Sequence, residues 1–294
     1  MQIVKYRKIF ITISIIVILV GFGAMAYNYV KGNGIFNFDI QFTGGTSVEV
    51  NIGKEFDNAE ITALVEEVTG NKNPQVQKSG AEGYSVVIKT KSLETETRNQ
   101  LRDKLMEKYS LEADSFSIQD VSSTLSKEMQ VSAFTAVFVS CIAMLIYIAI
   151  RFRDFKTASS AVLALLHDAL IVIGCYAVLR IPMSTTFIAV ILTILGYSIN
   201  ATIVIFDRVR ENKNKFGKNN YEGLINTSVS QTMRRSLFTS LTTFLTVLAL
   251  YVFGVESIKE FALPIGVGIV CGTYSSVFFS GNIWYMLSAP KAKK

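Results

Sequence analysis

Six stretches of this sequence are apolar without the polar stripe that recurs every three or four residues in a helix on a soluble core. They are Ile9–Tyr27, Val131–Ile150, Thr157–Leu179, Phe187–Phe206, Ser236–Phe253 and Phe261–Leu287. Each is close to the roughly 20 residues that a helix needs to cross the hydrocarbon of a bilayer. The pattern predicts an α-helical integral membrane protein with six transmembrane helices.

Between the first two stretches the period changes. In TSVEVNI, Val48, Val50 and Ile52 alternate with Glu49 and Asn51, as a half-buried strand requires. Ile61, Leu64, Val65 and Val68 share a helical face, and Tyr84, Val86 and Ile88 alternate again. Leu101, Leu105 and Tyr109 mark a second helix, and Phe116 and Ile118 suggest a last strand. With a leading strand in FNFDIQF, the expected order is β-β-α-β-β-α-β. Two helices are too few to cover both faces of a sheet, so an inserted ferredoxin-like α+β domain is expected, helices on one side. Gly44-Gly45 reads as a tight hairpin turn, because glycine accepts φ > 0. A phosphate-cradling loop would need a following Lys-Ser/Thr and a helix, and the sequence offers neither. Residues 30–128 are assigned to this extracytoplasmic domain and 1–29 to the cytoplasmic N-terminus and first helix. Residues 129–294 are assigned to a five-helix bundle with a basic cytoplasmic loop, 207–235, and a C-terminal tail.

Charge orients the helices. With the N-terminus cytoplasmic, the inner segments hold Lys5, Arg7, Lys8, Arg151, Arg153, Lys156, Arg208, Arg210, Lys213, Lys215, Lys218, Arg234, Arg235, Lys291, Lys293 and Lys294. The short outer loops hold only Arg180 and Lys259, so both termini are expected in the cytoplasm. Residues 28–130 carry 11 Lys/Arg against 16 Asp/Glu, an acidic outer face. The net charge of +6 therefore reflects topology and membrane lipid, and no nucleic-acid partner is invoked. Ala24-Met25-Ala26 has the small-x-small form of a signal-peptidase site, but the long first stretch and the five that follow favour an uncleaved anchor. Cys141, Cys175 and Cys271 all fall within spans and read as small buried side chains.

The candidate chemistry is intramembrane polarity. Asp168 lies near mid-bilayer in the third span, preceded by His167, the only histidine. A carboxylate there must be protonated, paired or hydrated, so it is either a proton carrier or one half of a packed polar pair. One His and one Asp fall short of a metal site, and no cofactor is expected. In the fourth span, Ser198, Asn200 and Thr202 cover a broad polar sector, suited to a wet cavity or to ordinary interhelical hydrogen bonds. Asp207, Arg208 and Arg210 end that span as a charge cluster, in which Asp207 and Arg210 could pair locally or simply face solvent. No nucleophile–base pair has the spacing of a hydrolase, so an enzyme is not expected.

Several stretches together resemble the SecF family, the smaller membrane subunits of the SecDF protein-translocation accessory complex. They are FDIQFTGGT, ALLHDALI, GYSINATIVIFDRVREN and QTMRRSLFTSLTT, and the likeness extends over essentially the whole chain. By fold the family belongs to the resistance-nodulation-division transporters. The resemblance implies SecD, the SecYEG channel and the translocating polypeptide as partners in a bacterial cytoplasmic membrane. It also implies use of the proton-motive force to promote export, with Ser198, Asn200 and Thr202 walling an ion relay toward SecD. Arg235 matches the arginine of the family's QTxxR(S/T)xxTS motif, while Arg234 reads as a topological charge. Where the family has Asn-Asp, this chain has Asn200-Ala201. An alanine cannot carry a proton. The acid then comes from SecD, or coupling is weak, or the alanine was introduced. A non-transporting scaffold and a small-molecule or lipid transporter of the same fold are the rival readings, and the single small outer domain argues against the latter.

Overall fold

The computed structural model describes residues 2–71, 74–80, 83–152, 154–217 and 220–289, with the Glu256 side chain left out. The expected inner charges Arg153, Lys218, Lys291, Lys293 and Lys294 lie outside the described residues. In chain order come α1 (Arg7–Val30), α2 (Ile40–Thr43), β1 (Gly45–Asn51), α3 (Asn58–Thr69), β2 (Gln75–Ser79), β3 (Ser85–Thr90), α4 (Thr95–Tyr109) and β4 (Phe116–Val121). Then follow α5 (Ser123–Phe152), α6 (Phe155–Leu179), α7 (Thr185–Asn212), α8 (Tyr221–Phe253), α9 (Glu256–Tyr274), a π-helical turn at Ser275–Ser280, and α10 (Gly281–Ser288). Six helical spans are long and apolar enough to cross a membrane: α1, α5, α6, α7, α8 and the α9–α10 composite. The interior is built from α6, α7 and α9–α10, while α1, α5 and α8 are largely exposed along their length.

Between α1 and α5 sits a four-stranded antiparallel sheet in the order β2-β3-β1-β4. That is the ferredoxin-like order, with α3 and α4 packed on one face. Alternation supplies the core: Val48 and Val50 of β1 and Val86 and Ile88 of β3 turn toward Ile61, Val65, Leu101 and Leu105, all essentially unexposed.

One expected strand is absent. FNFDIQF alternates, yet the Asp39 carboxylate accepts from Gln41 N at 2.9 Å and caps the one-turn helix α2. Lys89 holds the other Asp39 oxygen at 2.6 Å. The observed order is therefore α-β-α-β-β-α-β. Gly44-Gly45 is correspondingly not a hairpin turn. Gly44 (φ 76°) closes α2 and Gly45 (φ 150°) opens β1, where a Cβ would stand 2.2 Å from the Thr90 carbonyl oxygen. Both positions favour glycine, for a helix-to-strand junction and a close strand approach.

Polar contacts fasten this domain to the turn between α6 and α7. Arg180 donates to the Asn33 and Gly34 carbonyls at 2.8 and 2.9 Å. Asn37 donates to the Arg180 carbonyl at 3.0 Å, and the Met183 and Asp39 amides donate to the Asn37 and Met183 carbonyls at 2.7 and 3.0 Å. Within the bundle, α1 lies against α6 through Gly21 and Gly174, where a Cβ on Gly21 would come within 2.9 Å of Gly174 Cα. Asn28 donates to the Ala177 carbonyl at 2.9 Å across the same interface. At the start of α6, burial pushes the capping Asp154 carboxyl up, but bonds from the Thr157 hydroxyl and the Thr157 and Lys156 backbone outweigh it and hold it below its ordinary range. The fifth span also begins earlier than its apolar run. α8 starts at Tyr221, burying Leu224, Ile225, Ser228, Val229 and Thr232 on one face, and Asn212 at the end of α7 donates to Ser228 Oγ and Gln231 Oε1.

Candidate functional site

The inward face of α6 is lined with small and aliphatic residues, Ala161, Ala164, Leu165, Ile171 and Val172. Asp168 interrupts that face and is 0% exposed. Its surroundings are hydroxyls and one imidazole. Ser198 Oγ of α7 donates to Oδ2, and Ser275 Oγ donates to the same oxygen at 2.7 Å. His167 Nδ1 lies 2.9 Å from Oδ1, so the neighbours on α6 meet although adjacent helical positions diverge by about 100°. The His167 ring is stacked on Phe279 at 4.7 Å and faces Tyr274 at 6.2 Å between centroids. Its Nε2 is buried and finds no hydrogen-bond partner among the described residues.

The π-helical turn explains how α9–α10 reaches two partners at once. One extra residue per turn rotates consecutive serines inward. Ser275 meets Asp168, while Ser276 meets Thr202 Oγ1 at 2.9 Å and donates to the Ser198 carbonyl at 3.4 Å. The chain of polar groups thus runs His167–Asp168–Ser198/Ser275 and continues through Ser276 to Thr202.

Two hydroxyls donate to the Asp168 carboxyl group, and the tautomer of His167 sets whether Nδ1 donates to Oδ1 or accepts from it. These bonds tie α6 to α7 and to the π turn through one carboxyl group.

The expected polar sector of the fourth span is divided by the fold. Ser198 and Thr202 are fully buried and belong to the Asp168 network. Asn200 and Ala201 look the other way, into a shallow groove shared with Tyr197 of α7 and Arg235, Ser236 and Ser240 of α8. Arg235 is exposed there and forms no ion pair among the described residues. The Asp207–Arg210 pair does not form. Asp207 instead pairs with Arg151 at the end of α5, and Arg208 pairs with Glu211 at 2.8 Å. Sequence reasoning missed Ser275 and Ser276. Their signal was available, two adjacent serines inside the last apolar run, but a helical period cannot point both inward. Among the described residues no cluster of His, Cys, Asp and Glu could hold a metal ion.

Comparison with known proteins adds lineage to this geometry. The profile of the family "Protein export membrane protein SecD/SecF, C-terminal" matches residues 100–290. The "Protein translocase subunit SecF" of Sebaldella termitidis is 35% identical, over 100% of this chain and 95% of its own. The "Protein translocase subunit SecDF" of Bacillus subtilis is 33% identical over 88% of this chain, which corresponds to 35% of that longer protein. The crystal structure of SecDF from Thermus thermophilus superposes with a TM-score of 0.78 and 31% identity, covering 98% of this chain and 38% of that one.

Proposed function

The chain belongs to the SecF family of protein-translocase subunits, and from that premise we propose that Asp168 is its proton-carrying group, in place of the family acid that Ala201 replaces. Its place is in protein export, as the SecF subunit of the SecDF accessory complex and a transport protein rather than a catalytic enzyme. Relatives in which both parts form one SecDF chain support association with SecD. In this reading SecYEG delivers the emerging polypeptide, the outer domain meets it, and both termini lie in the cytoplasm of a bacterium.

The observation that carries the proposal is a carboxyl group with no exposed surface, held by two serine hydroxyls from other helices and by His167. One elementary charge crossing 100 mV releases about 2.3 kcal/mol, enough to bias an equilibrium between two packings of the bundle. The packing has a mechanical outlet. α6 and α7 both flank Asp168 and both run into the turn that Arg180, Asn37 and Met183 fasten to the outer domain. A change in the Asp168–Ser198 bond shifts α6 against α7, and the outer domain moves with their turn, as a rigid body.

The test is proton flux into vesicles that hold this chain with SecD and SecYEG during export. Asp168→Asn keeps an acceptor for the serines but cannot ionise, and substrate-dependent flux is expected to vanish while the complex still assembles. Unchanged flux would remove Asp168 from the relay. Unchanged flux together with unchanged export would favour the scaffold reading.

A further inference from the structure

The outer domain and the membrane helices enclose a groove unconnected to the Asp168 network, with a volume of about 450 Å³. Its walls are β2, one face of α3, the segment after α1, the turn around Arg180 and the start of α9 at Glu260. Three features of its chemistry point the same way. Two carboxamide oxygens on its walls, Asn58 Oδ1 and Gln75 Oε1, are buried and find no donor among the described residues. Buried acceptors left unmatched are costly, and they mark a place where N–H groups from outside would be bound. The charged groups on the described walls are Glu66, Glu260 and Arg180. Gln77 donates to Glu260 and Arg180 donates to the Asn33 and Gly34 carbonyls, so the described walls hold two carboxylates against one guanidinium, and Glu66 is the exposed one of the two.

The third feature is a strand edge. β2 is terminal in the sheet and pairs only with β3, so alternate backbone N–H and C=O groups point away from the sheet along the wall. Gln75, Val76 and Gln77 of that strand line the groove. An extended chain can pair with such an edge whatever its side chains.

We propose that this groove binds an extended polypeptide segment carrying a lysine or arginine, with main-chain pairing along β2 and the basic group toward Asn58, Gln75 and Glu66. The inference deepens the reading of this chain as an export subunit, because it states what the outer domain grips. Recognition through backbone groups tolerates any sequence, while unmatched acceptors and an acidic wall prefer basic stretches. The segment 28–130, with 11 Lys/Arg against 16 Asp/Glu, reinforces that preference.

The experiment uses the full chain in nanodiscs and two unstructured 12-residue peptides, one with lysine at alternate positions and one with glutamate there. Binding is followed by fluorescence anisotropy at physiological ionic strength and again at raised salt. The lysine peptide is expected to bind at least about ten-fold more tightly. Its binding should slow amide exchange in β2, and Asn58→Leu and Gln75→Leu should each weaken it by about five-fold or more. Equal affinity for both peptides, or binding that leaves β2 exchange unchanged, would overturn the proposal. Because the peptide comparison is made on the unsubstituted protein, a poorly folding variant does not decide it. Loss of proton flux in Asp168→Asn concerns the separate intramembrane reading, so either proposal can fail while the other stands.

Discussion

At the residue scale, the chain separates two kinds of intramembrane polarity that its sequence shows side by side. Ser198 and Thr202 lie four positions apart and share a face, which 3.6 residues per turn made legible; that Asn200 does not join them in one cavity was not legible. What the helix period could not tell is which face is dry. The answer came from α6 and the π turn, whose Asp168, Ser275 and Ser276 lie 30 or more positions away along the chain. Ala201 is half-buried beside Arg235 in the open groove. Ala201→Asp therefore adds a carboxyl group where there is room and a guanidinium nearby. It should change stability by no more than about 1 kcal/mol in a denaturation series, because the site is not closed. It should also increase the dependence of export on the proton-motive force. If that dependence stays the same, the second carboxyl group has no part in the relay.

At the element scale, long apolar runs located all six spans, alternation located β1, β3 and β4, and a helical period located the two domain helices. The failures have physical reasons. Phe36, Phe38, Ile40 and Phe42 alternate like a strand, but the Asp39 cap and its tie to Lys89 turn the chain into one helical turn. α8 begins before its apolar run because its polar first turns still bury one face against α7 and α10. Packing of α1 on α6 yields a sharp expectation. Gly174→Val would set a side chain against Gly21, whose Cα lies 3.1 Å from the new Cβ position. A destabilisation of about 1–3 kcal/mol is expected in detergent unfolding. Gly23→Val, where nothing lies within 4 Å, should be close to neutral. Equal effects at the two positions would mean that α1 does not rest on α6.

At the scale of the whole molecule, two polar systems that share no residue have one hydrogen-bonded turn between them. The Asp168 network lies in the bundle, the acidic groove lies under the outer domain, and the turn from α6 to α7 links them through Arg180, Asn37 and Met183. The flanks of α1, α5 and α8 are exposed, and the Asn200–Arg235 groove lies between α7 and α8. Under the proposed function, a proton at the Asp168 carboxyl group resets the relation between α6 and α7, and the outer domain moves with their turn. Infrared difference spectroscopy on the reconstituted complex follows that group directly during an imposed pH jump. The unsubstituted complex should show a carboxylic-acid stretching band, growing as the pH falls, that is missing from the otherwise similar spectrum of Asp168→Asn. A spectrum in which that band is the same with and without Asp168 would contradict the account.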